Sequence, residues 1–288
     1  MIDKKHYNLE LEAYSYHENR PLELFLFIDP LCQHCWALEP IIKKLLLEYS
    51  QYFSLTYVLT GKLQHLNPLP KKVKRISTSP RPYDHNRPCP HCENVAGQHG
   101  ITSPFLASIA IKAAELQGRK AGIRFLRKLQ EYLFLKGENI TDVNILLECA
   151  KEVQLDVHEF QNDIHSVSTS NAFQCDIQIS NEMGVEEIPS LVLFNNNSEQ
   201  PGLKVTGVHQ YEIYEEVLVE MLGEMPNREE LPPLLSFIHH FQLVTTNDIV
   251  TVYEWPVSRV EKELKKLLFQ QKIEKLVSTH GTFWRVVY

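Results

Sequence analysis

One stretch near the start of the chain, residues 22–39, constrains the fold more than any other: LELFLFIDPLCQHCWALE. A short apolar run, typical of a buried strand, leads into Cys32 and Cys35, and apolar residues at helical spacing follow. Two cysteines in the first turn of a helix are typical of dithiol redox motifs. At a helix start, unpaired backbone N–H groups and the macrodipole favour a thiolate. The stretch therefore predicts a nucleophile of lowered pKa at Cys32, with Cys35 resolving the mixed disulfide.

The segments after this stretch predict a sheet that a helical block interrupts. Two strands flank the first helix and form a right-handed βαβ unit, and residues 104–183 carry helical patterns throughout. Two further strands and a closing helix complete the sheet. The predicted strands are 7–16 at an edge, 22–28, 53–59, 186–194 and 203–207, and the predicted helices are 36–49, 105–116, 120–135, 142–153, 158–165, 170–183 and 211–222.

The last sixty residues predict a small unit of their own. A helix in 231–241, another in 246–253, a third that begins near Pro256 and a hairpin in 273–287 follow the order of a winged helix. Seven Lys and Arg against five Asp and Glu from residue 231 onward favour protein docking or packing over DNA reading. We therefore expect one domain at 1–223, a linker at 224–230 and a second domain at 231–288.

Composition limits the compartment and the class of partner. A net charge of −7 argues against a general nucleic-acid binder. The start of the chain has no apolar core region or cleavage site, and no apolar run is long enough to span a membrane, so we expect a cytoplasmic protein. Stable disulfides are rare in that compartment. Of the six cysteines, Cys149 and Cys175 stand alone in helical patterns, and we expect both to be small core residues.

A second C-x-x-C pair, Cys89 and Cys92, lies in a proline-rich and basic stretch at 62–103, with no strand before it and no clean helix after it. Long loops of this kind are often functional. Without a helix start the pair lacks the main device that lowers a thiol pKa, so Cys32 is the better nucleophile. The pair has three possible roles: a zinc site with His85, His91 or with Cys32 and Cys35, a second redox pair, or no role.

The order of elements resembles the thioredoxin fold with a helical insertion, as in DsbA-like proteins. The resemblance covers about residues 22–222 and includes Ile188-Pro189, which stands before a strand where that fold has a cis-proline opposite the cysteine pair. It implies an α/β fold in which Pro189 presents a backbone edge to an extended peptide.

The stretch FIDPLCQHCWALEP at 27–40, the length and the extra C-terminal segment resemble the SpxH (YjbH) family. The resemblance implies an adaptor that binds the transcription regulator Spx and promotes its degradation by the ClpXP protease in unstressed cells, with indirect or transient contact to ClpX. It also implies no principal enzymatic activity and no required cofactor. On this reading Cys32, Cys35 and the Pro189 position are either regulatory, with the cysteines tuning binding to the redox state, or vestigial and dispensable.

The alternative is a cytosolic DsbA- or FrnE-like thiol-disulfide oxidoreductase that uses Cys32, Cys35 and Pro189. His6 and His17 are too few for the N-terminal zinc site of some relatives. For the Spx-binding surface, the basic loop at 62–87, the inserted helices and the C-terminal segment all remain candidates.

Overall fold

The structure is a computed structural model, and it describes residues 20–61, 105–197, 200–279 and 281–287. Its first part alternates strands and helices around a single sheet. In chain order the elements are β1 (Leu22–Ile28), α1 (Gln33–Tyr49), β2 (Phe53–Leu59), α2 (Phe105–Leu116), α3 (Arg119–Glu131), a π-helical turn (Tyr132–Lys136), α4 (Val143–Glu152), α5 (Val157–Asp163), α6 (Val167–Glu182), β3 (Ser190–Asn195), β4 (Leu203–Thr206) and α7 (Tyr211–Leu222).

Among the described residues, four strands form the main sheet in the order β2-β1-β3-β4. β1 runs parallel to β2 and antiparallel to β3, and β3 pairs antiparallel with β4. β1 is almost continuously apolar, and both strands are fully buried over their last three residues, because both faces of the sheet are covered there. Helices α2–α6 lie between β2 and β3 in the chain, which confirms the thioredoxin-like sheet with a helical insertion.

The outer edge of β2 is closed by side chains from the inserted helices. The Arg119 guanidinium donates to the carbonyl of Leu55 at 2.7 Å, and the N–H of Leu59 donates to the buried carboxylate of Asp176 at 2.9 Å. An edge strand with free backbone groups is a template for aggregation, and these contacts occupy such groups. Lys112 pairs with the same Asp176 carboxylate at 2.8 Å, which ties α2 to α6 beside the edge.

The C-terminal segment contains three helices and a second sheet. Its elements are α8 (Leu234–Phe241), β5 (Val244–Thr245), α9 (Thr246–Tyr253), α10 (Val257–Phe269), β6 (Ile273–Ser278) and β7 (Gly281–Val286). The strands pair antiparallel in the order β5-β7-β6. Three helices and a hairpin agree with the sequence pattern, whereas the two-residue β5 is too short for that pattern to reveal.

Two sequence-based expectations differ from the structure in particular residues. Cys149 is fully buried, but Cys175 is exposed, so its prediction as a core residue is wrong. The inward positions of α6 are Thr169, Phe173, Asp176 and Ser180, and at 100° per residue Cys175 faces away from that stripe. The predicted edge strand at 7–16 lies outside the described residues. No described helix is long and apolar enough to cross a membrane.

Candidate functional site

Cys32 and Cys35 lie at the start of α1, directly after β1. Cys32 is the N-cap of the helix in an extended conformation, and the N–H of Cys35 donates to its sulfur at 3.4 Å. Cys32 is half-buried, whereas Cys35 is only 3% exposed. The first sulfur thus receives a backbone donor of the helix start, and the second is held one turn inside. This geometry suits a nucleophile and a resolving thiol.

A buried carboxyl group, that of Asp29, precedes the cysteine pair. The main-chain carbonyl of Asp29 accepts the N–H of Cys32 at 3.1 Å, and its carboxylate accepts the N–H of Leu31 at 2.9 Å. Burial raises the pKa of Asp29 from 3.8 to about 6, and the Leu31 hydrogen bond opposes this rise. The turn before α1 therefore contains a carboxyl group that changes charge near neutral pH. The sequence signal was only a polar residue at a strand end.

Pro189 lies at the same end of the sheet as the cysteine pair. Ser190 stands opposite Phe27 in the β1–β3 register, so Pro189 is next to the turn that follows β1. The Ile188–Pro189 peptide bond is cis. The N–H of Gly207 donates to the Pro189 carbonyl at 2.7 Å, which joins this turn to the end of β4. The structure therefore brings the three candidate residues Cys32, Cys35 and Pro189 to one end of the sheet.

Trp36, the residue after Cys35, connects this end of the sheet to the C-terminal segment. Its ring lies 5.1 Å from that of Phe134 in the π-helical turn and 6.3 Å from that of Phe283 in β7, centroid to centroid. The Ser278 hydroxyl donates to the Phe134 carbonyl at 3.0 Å. The β6–β7 hairpin is therefore a neighbour of the cysteine pair, which no local sequence pattern indicates.

The C-terminal segment packs along α1, and two buried lysines mark the contact. Lys43 pairs with Asp248 of α9 at 2.9 Å, and these side chains are 4% and 2% exposed. Lys44 pairs with Glu254 and lies 3.9 Å from the ring centroid of Tyr211. Leu47 of α1 belongs to the apolar core of the C-terminal segment. As a result, α1 is covered both by the main sheet and by the last sixty residues.

The second cysteine pair, Cys89 and Cys92, lies outside the described residues together with His85 and His91, so their roles stay predictions. Within the described ranges, no group of three or more His, Cys, Asp or Glu side chains is arranged to hold a metal ion. The loop at 62–87 also lies outside these ranges, so its predicted role in binding Spx stays a prediction as well.

The fold and the dithiol at the start of α1 define a thioredoxin-like protein with a DsbA-type helical insertion. The thioredoxin family model matches residues 25–216. A putative protein disulfide isomerase from Nitrosomonas europaea is similar in structure, with a TM-score of 0.53 and 18% identity over 70% of this chain and 98% of that one. A probable DsbA oxidoreductase from Streptomyces coelicolor is also similar in structure, with a TM-score of 0.51 and 14% identity over 74% of this chain and 94% of that one.

Sequence relatives extend over nearly the whole chain. The ClpXP adapter protein SpxH of Bacillus subtilis is 45% identical over 272 residues, which cover 93% of this chain and 90% of the relative. The protein of the same name from Bacillus licheniformis is 44% identical over 271 residues, covering 94% and 90%. The chain belongs to the SpxH family.

Proposed function

We propose that this protein is a cytoplasmic adaptor that binds the transcription regulator Spx and promotes its degradation by the ClpXP protease. The observation that carries the proposal is the match over about nine-tenths of both chains to proteins named ClpXP adapter. The match includes the C-terminal segment, so it is not a match to the thioredoxin-like frame alone.

The packing of the C-terminal segment supports a binding role. The match to the thioredoxin family model ends at residue 216, so the C-terminal segment lies beyond that frame. The extra segment lies against Trp36 and along α1, where it adds surface beside the cysteine pair. An adaptor requires a rigid surface that holds two partners, whereas dithiol chemistry requires only the frame.

A reconstituted degradation assay tests the proposal. Purified Spx, ClpX and ClpP are combined with and without this protein under reducing conditions, and the loss of Spx is followed over time. We expect the protein to accelerate degradation and the Cys32→Ala/Cys35→Ala variant to retain most of that effect. No acceleration by the wild-type protein would overturn the proposal.

A second candidate function, thiol-disulfide exchange, is favoured by the contact of the Cys35 N–H with the Cys32 sulfur. In this reaction the Cys32 thiolate attacks a substrate disulfide and releases one substrate thiolate. The Cys35 thiolate then displaces the second substrate thiolate and closes a Cys32–Cys35 disulfide, so the substrate gains the two electrons that the pair loses. Reduction of insulin by the prereduced protein measures this activity. The reduction of insulin must disappear in the Cys32→Ala/Cys35→Ala variant.

Zinc at the second cysteine pair is a third proposal, independent of the other two. Two thiolates from Cys89 and Cys92 supply half of a tetrahedral site, and His85 and His91 or Cys32 and Cys35 complete it. Metal analysis of the purified protein and of the Cys89→Ser/Cys92→Ser and Cys32→Ser/Cys35→Ser variants separates these sets. Wild-type protein without stoichiometric zinc, or zinc that survives Cys89→Ser/Cys92→Ser, would contradict the proposal.

A further inference from the structure

Helix α10 (Val257–Phe269) packs only one of its faces into the C-terminal core. Val260 and Leu264 are fully buried, and Leu267 is partly buried beside them. These residues recur every three or four positions and form one stripe of the helix. The opposite stripe has no described partner element, and its residues are exposed.

The outer stripe of α10 is basic along its length. Its charged residues are Arg259, Lys262, Lys265 and Lys266, all exposed. At 100° per residue they fall within about one third of the helix circumference, opposite Leu264. The two acidic residues of the helix lie on its flanks rather than on this stripe: Glu261 pairs weakly with Lys265 at 3.8 Å, and Glu263 pairs with Lys266 at 2.7 Å.

An apolar tip lies at the C-terminal end of the basic stripe. Phe269 is 88% exposed and continues the stripe one turn beyond Lys265 and Lys266. Leu268 is 39% exposed, and Val287 is 48% exposed. The N–H of Val287 donates to the Lys272 carbonyl, and the N–H of Lys272 donates to the Leu267 carbonyl, which brings Val287 to the end of α10. Phe269 is therefore an exposed aromatic ring at the end of the basic stripe, and Leu268 and Val287 are further exposed apolar side chains at the same end of the helix.

We propose that the outer face of α10, defined by Lys262, Lys265, Lys266 and Phe269, is a docking surface for an acidic protein segment that carries an apolar side chain. The basic stripe steers and orients the acidic segment, and Phe269 with its neighbours receives the apolar side chain. The inference rests on the proposed function, because it assigns this surface to one of the two partners of the adaptor.

A protein partner agrees better with the apolar tip of this face than a duplex nucleic acid does. Phe269 is 88% exposed and can pack against an apolar side chain of a protein segment, whereas a phosphate backbone offers no apolar group to it. A second copy is also a poorer occupant, since contact between α10 and a different surface of the same chain is heterologous and does not close into a dimer.

The test compares two variants of the full-length protein. The first is Lys262→Glu/Phe269→Ser, which reverses one charge of the stripe and removes the aromatic ring without touching the buried stripe. The matched control is Lys151→Glu/Val167→Ser, in which an exposed lysine of α4 and a valine of α6 that is 75% exposed are changed in the same way. Circular dichroism confirms that both variants fold. Binding to Spx, to ClpX and to a duplex DNA is measured separately, at low and at high salt.

We expect Lys262→Glu/Phe269→Ser to bind one of the two proteins about tenfold more weakly or worse, with a shallower salt dependence than the wild type. The control variant should bind like the wild type. Unchanged binding of both proteins by the α10 variant overturns this inference and leaves the proposed function intact. A selective loss of DNA binding, or a change only in self-association measured by sedimentation, also overturns it. A wild-type protein that binds neither partner overturns the proposed function and this inference together.

Discussion

Asp29 carries a carboxyl group that burial keeps protonated well above the pH at which a carboxyl ionises in water. Its raised pKa, about 6 against 3.8, means that the folded chain binds a proton that the unfolded chain has already lost. The stability that this group contributes is fully present below about pH 4 and is lost as the pH rises through about 6. The group lies in the turn that positions Cys32, so the charge beside the cysteine pair changes in the same range.

The Asp29→Asn variant should therefore become more stable relative to the wild type as the pH rises from 4 to 7. Asparagine keeps an oxygen for the Leu31 N–H and cannot ionise, and the expected gain over this range is about 2 kcal/mol. Urea denaturation of both proteins across this range measures the difference, in which the effects of all other groups cancel. Glu138→Gln, at an exposed position, is the control. A difference that does not vary with pH would contradict the expectation.

The Lys43–Asp248 pair provides a second test at single-residue resolution, because both side chains are almost fully buried. Asp248 also accepts hydrogen bonds from the N–H and hydroxyl of Thr245 and so caps α9. Asp248→Asn leaves the buried ammonium without its counter-charge, so we expect a loss of about 3–5 kcal/mol. Glu261→Gln, whose partner Lys265 is exposed, should cost less than about 0.5 kcal/mol. If denaturant titrations gave equal losses of unfolding free energy for the two variants, burial of an ion pair would not determine its contribution to stability.

Helix α1 is the element on which the two halves of the protein meet. One side packs against the main sheet, and another carries Lys43, Lys44 and Leu47 toward the C-terminal segment. Two adjacent lysines on a helix ordinarily indicate a face in water, and here both are buried. A local pattern predicted the strand, the cysteine pair and the helix, because those depend on neighbours in sequence. The burial of the lysines depends on Asp248 and Glu254, 205 and 210 residues away, and no periodicity contains that information.

Leu47 tests whether the C-terminal core depends on α1. Leu47→Ala should lower the free energy of unfolding by about 2–5 kcal/mol, because it opens a cavity between α1 and the C-terminal segment. Leu116→Ala, in which the leucine is 50% exposed at the end of α2, should change it by less than about 1 kcal/mol. Denaturant titrations of both variants provide the comparison. Similar effects at the two positions would argue against a shared core.

At the scale of the whole molecule, the two halves share contacts that a flexible linker would not provide. The N–H of Glu229 donates to the carbonyl of Glu48, and Arg228 binds both Tyr49 and Glu215. The stretch at 224–230, which composition indicates to be a linker, is thus attached to α1 and α7. Its polar and proline-containing sequence was informative about the lack of helix or strand, but not about these contacts.

We expect the full-length protein to unfold in a single transition. Since the C-terminal core contains a residue of α1, neither half can unfold without exposing apolar surface of the other. The measurement compares far-ultraviolet circular dichroism with the fluorescence of Trp36, Trp255 and Trp284 in increasing denaturant. Coincident midpoints support one cooperative unit. Two separate midpoints would show that residues 231–288 form an independent domain.

The burial of α1 also has a consequence during protein synthesis. Lys44 leaves the ribosome 210 residues before Glu254, its partner in the folded protein. At common rates of translation this is a delay of about 10–40 s. During that time the face with Leu47 and the two lysines is open to water and to other proteins. In the nascent chain, the face of α1 that the C-terminal segment later buries is therefore exposed. Chaperones can bind this face until the C-terminal segment has been made.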